Sequence, residues 1–259
     1  MKRTPIQPNL ASFPAEFHNL LASPVFDSSC SQDARVYFID EGQGFFLKTA
    51  PAGTLQKEAV MDRFFHEKGL GPEVLSYITG PQDWLLTAQI PGEDCIHSQY
   101  ISDPKRLCDT TATLLRQLHE TSTDGCPVNR TADYITTVLE NHRIGRYDAT
   151  LFPDNWGYAC AKDAIAVVRE FAPALKSDAL LHGDYCLPNI LLQDWKFSGF
   201  IDLGTGGVGD RHIDLFWGVW SLFFNLKTDA WGNRFLDVYG RDRIDKDILS
   251  AIAAFEVFA

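Results

Sequence analysis

One interval constrains this 259-residue chain more than any other feature. His182-Gly183-Asp184-Tyr185-Cys186-Leu187-Pro188-Asn189 is followed, thirteen residues after its Asn, by Asp202-Leu203-Gly204. Ile190-Leu191-Leu192 and Phe197-Ser198-Gly199-Phe200-Ile201 are short apolar runs on either side of Gln193-Asp194-Trp195-Lys196. That pattern predicts two strands joined by a tight turn. A hairpin returns the chain to its starting end, so Asn189 and Asp202, which flank it, are expected side by side. Phosphoryl transfer needs such a set: a carboxylate to receive a hydroxyl proton, and an amide oxygen and a second carboxylate to hold magnesium on a triphosphate. Asp184 fits the first role, and Asn189 and Asp202 the second. Three oxygens converging on one metal-bound triphosphate is the expectation on which the rest depends.

The flanking chain divides in two. Residues 36–40 and 45–49 read as strands around the turn Glu41-Gly42-Gln43-Gly44. A helical pattern at 55–68 ends at Gly69 and Gly71-Pro72. Strands follow at 74–79 and 84–88. Beyond Pro91-Gly92 the periodicity turns helical, at 105–120, 132–143, 161–171, 214–226, 230–239 and 245–258. The expected division is therefore 1–90, strand-rich with one helix, and 91–259, mostly helical. Lys48, at the end of a strand, is a candidate cation for phosphates. Glu58, on the helix that follows, is placed to hold it.

The His-Gly-Asp, Asn and Asp-x-Gly segments resemble the catalytic and metal loops of the aminoglycoside phosphotransferases, most closely the 3′-phosphotransferases. That family has His-Gly-Asp where most protein kinases have His-Arg-Asp. The resemblance covers nearly the whole chain. It implies an α+β, protein-kinase-like fold of two lobes, with ATP and Mg2+ as cofactors. Lys48 and Glu58 match the family's strand lysine and helix glutamate. Thr87-Ala88-Gln89-Ile90-Pro91-Gly92 matches its hinge, which makes the backbone of Ala88 and Ile90 the candidate adenine partners. Phe46 is expected to stack on the base, with Ile201 closing the pocket from below.

On the acceptor side, the resemblance points to Asp154, Asp163, Glu256 and Phe258, the last two matching a terminal Glu-x-Phe. Asp210-Arg211-His212-Ile213-Asp214 matches a family segment in which Asp214 fixes the catalytic loop from behind. Three departures stand out. Thr205 replaces an Arg, Phe224 and Asn225 stand where relatives carry acids, and the phosphate loop Ser28-Ser29-Cys30-Ser31-Gln32-Asp33 lacks glycine.

The net charge of −11 argues against a nucleic-acid partner and suits a cationic small molecule. Six scattered cysteines without a Cys-x-x-Cys pair fit reduced thiols in the cytoplasm. The apolar stretch at 215–226 is too short to span a membrane. The expected protein is a monomer or weak dimer. Its expected reaction is phosphorylation of an aminoglycoside hydroxyl, the 3′-hydroxyl, conferring antibiotic resistance. Two alternatives remain: a kinase of a macrolide, choline or another hydroxylated metabolite, and a non-catalytic nucleotide-binding relative.

Overall fold

Strict alternation in the first ninety or so residues builds a sheet with two different faces. The computed structural model describes residues 3–30, 34–149 and 157–259. Six antiparallel strands, β1 (Thr4–Ile6), β2 (Val25–Asp27), β3 (Arg35–Ile39), β4 (Phe45–Pro51), β5 (Val74–Ile78) and β6 (Gln82–Ala88), lie in the order β1-β2-β3-β4-β6-β5. Val25 pairs with Ile39, Ile39 with Phe45, and Leu47 with Leu86. That row packs with Phe17, Leu21 and Trp84 into one core. Burial of each such side chain contributes about 1.5–3 kcal/mol. The alternate row, Phe26, Phe38 and Phe46, pairs across the opposite face, where Lys48 also points because it lies two residues from Phe46.

Helix α1 (Gln56–Glu67) packs Ala59 with Ala50, Leu55 and Leu85. Its start has no side-chain cap of its own. Instead the buried Asp83 accepts the Leu55 N–H at 2.9 Å. Gly69, at φ +69°, ends it.

The structure divides into two compact units, Met1–Asp94 with Ile190–Gly204, and Cys95–Asn189 with Thr205–Ala259. The hairpin thus belongs with the first unit, although it lies far into the second half of the sequence. Pairing is the reason. Strand β7 (Glu93–Asp94) joins β9 (Ile190–Gln193), which pairs with β10 (Lys196–Phe200). The expected turn is there: Gln193 lies opposite Lys196, and Asp194 and Trp195 between them adopt φ of 50° and 67°. Two consecutive positive φ values are the mark of the tight hairpin turn that matches strand twist.

The second unit is helical: α2 (Ser98–Ile101), α3 (Pro104–Glu120), α4 (Arg130–Arg143), α5 (Ala161–Phe171), α6 (His212–Leu226), α7 (Gly232–Tyr239) and α8 (Lys246–Glu256). Asp103 caps α3 by accepting the Arg106 N–H, with Pro104 next in its first turn. Tyr134, Val138, Ile165, Val168, Ile213, Ile252 and Phe255 fill the core. A two-stranded ribbon, β8 (Ala179–Leu181) with β11 (Gly207–Gly209), crosses this unit and leads into the segment 182–189. Among the described residues no helix is long and apolar enough to cross a membrane, and all six cysteines are unbridged.

Candidate active site

The segment after β8 is held by atoms that the local sequence does not supply. Asp214, in the first turn of α6, is fully buried. Its carboxylate accepts the N–H of His182 at 2.8 Å and of Gly183 at 2.7 Å. His119 of α3 lies 3.2 Å from the same carboxylate and 2.8 Å from the Tyr239 hydroxyl. Burial lowers the His119 pKa, which leaves a neutral ring able to bridge the two. The Tyr185 hydroxyl donates to the Thr111 carbonyl, and the Leu187 N–H to the Ser221 hydroxyl. Gly183 sits at φ +86°, and a Cβ there would fall 2.0 Å from the Thr205 carbonyl oxygen. No other residue fits that position.

This scaffold presents Asp184 and Asn189. The Asn189 Nδ2 donates to the Asp184 carbonyl at 3.0 Å and to its carboxylate at 2.9 Å. Both amide protons are thereby used, and the amide orientation is set. Among the described residues the Asn189 Oδ1 meets no donor, so it remains available as a ligand oxygen.

In the first unit, Lys48 joins Glu58 and Asp202. Its Nζ lies 2.9 and 2.8 Å from the two Glu58 oxygens and 2.9 Å from Asp202 Oδ1. Burial alone would lower the Lys48 pKa, but the two carboxylates outweigh it and raise the value. One helical turn beyond Glu58, Asp62 is buried, and its Oδ1 has no partner among the described residues. Burial pushes its carboxyl well above the usual range, which keeps a third negative charge out of the cluster. Asp202 has φ +62°, a left-handed conformation that Asp tolerates better than most residues. Its side chain is 54% exposed.

The residues expected around adenine share this unit. Phe46 lies 5.2 Å from Phe38, ring to ring. Sequence reading missed Arg3, whose guanidinium lies 3.4 Å over the Phe38 ring. The Ala88 N–H donates to the Glu73 carbonyl at 2.9 Å, which restricts any base contact from Ala88 to its carbonyl. Ile90 packs against Gly199, where a Cβ would come 2.6 Å from its Cδ1. Ile201, half-buried, follows β10.

A cleft of about 470 Å³ in the second unit is lined by Asp184, Gly183, Cys186, Arg130, Thr205, Trp217, Trp220, Glu256 and Ala259. That volume is within the usual range of small-molecule sites. Of the acceptor-side residues expected from sequence, Glu256 is here. It accepts from the Tyr134 hydroxyl at 2.6 Å and the Trp217 indole N–H at 3.2 Å. Burial raises its pKa to about 7. Phe258 is 1% exposed and packs edge-on to His142 and Tyr147, so its ring is a core element. Asp163 is exposed in the first turn of α5, next to Cys160, and does not line the cleft. Asp154 lies outside the described residues, as do residues 31–33 of the phosphate loop. Trp217, Trp220, Arg130 and Thr205 were not anticipated as lining. The three-residue spacing of the tryptophans on one helix was the signal available for that pair.

Comparison with known proteins points one way. The profile of a phosphotransferase enzyme family matches residues 28–251. A protein of Lactococcus lactis named probable aminoglycoside 3′-phosphotransferase is 46% identical over 253 residues, covering 96% of each chain. An aminoglycoside 3′-phosphotransferase of Niallia circulans is 30% identical, covering 82% of this chain and 83% of its own. Among solved structures, an aminoglycoside 3′-phosphotransferase of type VIII has a TM-score of 0.72 at 24% identity, covering 90% of this chain and 92% of its own. The likeness to that structure extends to the fold.

Proposed function

Since the chain belongs to the phosphotransferase enzyme family, we propose that it transfers the terminal phosphoryl group of ATP to an aminoglycoside, at the 3′-hydroxyl, and so inactivates an antibiotic. The observation that carries this reading is the second unit's cleft, where Asp184 shares a lining with Glu256 and two tryptophans. A carboxylate in a small-molecule cleft, aimed by Asn189 and by a loop fixed to Asp214, is placed to receive a hydroxyl proton.

Lys48 supplies the cation for the nucleotide phosphates, and Glu58 holds it. Phe46, the Ala88 carbonyl, the Ile90 backbone and Ile201 take the base. The donor types fit Mg2+: a hard amide oxygen of Asn189, with no competing donor among the described residues, and the half-exposed carboxylate of Asp202. When bound, that ion supplies charge neutralisation on the phosphate oxygens. Asp184 orients the acceptor hydroxyl and accepts its proton as the phosphoryl group crosses. Its carboxylate has one oxygen on Asn189, which leaves the other for the hydroxyl. Most of the rate enhancement then comes from positioning and charge stabilisation.

A screen of kanamycin, neomycin, erythromycin and choline with ATP, read by product mass, tests the assignment. Phosphorylation of the two aminoglycosides alone is the expected result. Transfer to erythromycin or choline alone would move the enzyme to another acceptor class, the direction that Thr205, Phe224 and Asn225 favour.

A further inference from the structure

The acceptor cleft contains a cation that a site for polycations does not need. Arg130 is the first residue of α4, where the helix dipole disfavours positive charge. Its Nε is buried and has no acceptor among the described residues. The guanidinium lies 4.9 Å from the Tyr134 ring, and Tyr134 in turn donates to Glu256. Facing the same space are Asp184, Glu256 and the aromatic edge of α6. Trp217 and Trp220 meet edge to face at 5.3 Å. Trp220 stacks flat on Phe224 at 4.9 Å, and the Lys227 ammonium lies 4.1 Å from the Phe224 ring.

These groups discriminate by elimination. An anionic substituent would meet Asp184. An ammonium would meet Arg130. A hydroxyl satisfies both neighbours, because it accepts from the Arg130 guanidinium and donates to a carboxylate. The indoles take either the apolar face of a pyranose or an ammonium, so they favour neither. Arg130 makes the distinction.

We propose that Arg130, Trp217 and Trp220 form a specificity subsite beside Asp184 that reads a hydroxyl rather than an ammonium at one position of the acceptor's reacting sugar ring, with the ring stacked on the indoles and that hydroxyl bonded to Arg130. This rests on the acceptor being an aminoglycoside, and within that class it favours members whose reacting ring carries a hydroxyl where others carry an ammonium.

Paromomycin and neomycin are a matched pair, differing in one hydroxyl against one ammonium on that ring. Steady-state transfer to each is measured for the wild type, Arg130→Met and Arg130→Lys. The expected wild-type preference for paromomycin is roughly tenfold in kcat/KM, carried by KM. Arg130→Met brings the ratio to about one or inverts it, and Arg130→Lys, which keeps the charge, retains part of the preference. Trp220→Ala raises KM for both acceptors alike. A wild-type preference for neomycin overturns the proposal. So does an equal loss on both acceptors in Arg130→Met, which would mark Arg130 as structural. Thermal melting of each variant separates that loss from misfolding, and the charge-retaining lysine variant keeps the ratio readable if the methionine variant is unstable. If the wild type phosphorylates neither compound, the acceptor assignment falls and takes this subsite with it, whereas transfer to both at a ratio that Arg130→Met leaves unmoved sinks the subsite alone.

Discussion

Lys48 and Asp184 are held in opposite ways. In the first unit, Lys48 is tied to Glu58 and Asp202 by ion pairs of 2.8 and 2.9 Å, with the Asp202 side chain half exposed. In the second, Asp184 rides on a loop whose N–H groups are bonded to a fully buried carboxylate. A partly exposed ionic cluster exchanges partners readily when a new charge arrives, and salt screens it. A loop bonded to buried groups cannot move without leaving a donor or an acceptor unpaired. The contrast suits two tasks. Under the proposed function, the Lys48 cluster would admit a highly charged nucleotide and release it, while the loop would hold Asp184 still.

The sharpest way to break this contrast is at Asp184. Asp184→Asn should lower kcat by about 10²–10⁴-fold, the usual worth of a positioned base, with nucleotide affinity unchanged by calorimetry. Turnover near the wild-type rate would remove the assigned role. Asp214→Ala should act through stability first. It strips a buried carboxylate from two N–H groups and His119, and should cost about 3–5 kcal/mol in a denaturant titration, with activity falling in parallel. If only activity fell, the loop would not depend on that anchor.

Lys48→Met should chiefly raise KM for ATP, by roughly tenfold to a hundredfold, and should weaken the salt dependence of nucleotide binding; because it leaves the buried Glu58 without its cation, it should also lower the melting temperature, by less than Asp214→Ala. A large loss of stability there would mean the first unit is built around its ion pairs rather than around its apolar core. The smallest effect is expected at Glu256. Its folded pKa, about 7, lies above its unfolded value, so the folded state binds the extra proton. Its contribution is full below the ordinary carboxyl range and is lost as pH rises through about 7. Glu256→Gln should therefore flatten the stability profile over that window by about 1–3 kcal/mol. An unchanged profile would show that the carboxyl is ionised throughout.

Legibility in the sequence followed the range of the interactions. The hairpin at 190–200 and the helices α3, α5 and α6 were readable because their causes are local: alternation, a turn, a cap, a helical period. The first strands, β1 and β2, were missed because three residues carry no period. They exist because Phe26 pairs with Phe38 and Val25 with Ile39. Phe258 was named for the acceptor and lies instead in the core, because an aromatic near the end of an amphipathic helix reads the same whether it faces ligand or protein. Arg130 carried no signal at all, since its place depends on α4 and α6 enclosing one cleft with the catalytic loop.

The sequence by itself determined which chemistry the chain can perform. Asp184, Asn189, Asp202, Lys48 and Glu58 read in the sequence as a phosphoryl-transfer set by residue type and spacing, and short-range geometry places each on its loop, strand or helix. Only the tertiary structure decided what holds them and what the acceptor meets. The His119 and Ser221 props of the loop, the Asp83 cap on α1 and the aromatic, arginine-bearing cleft all join residues dozens of positions apart. Burial brings such residues together, and burial is a property of the folded chain rather than of any stretch of it.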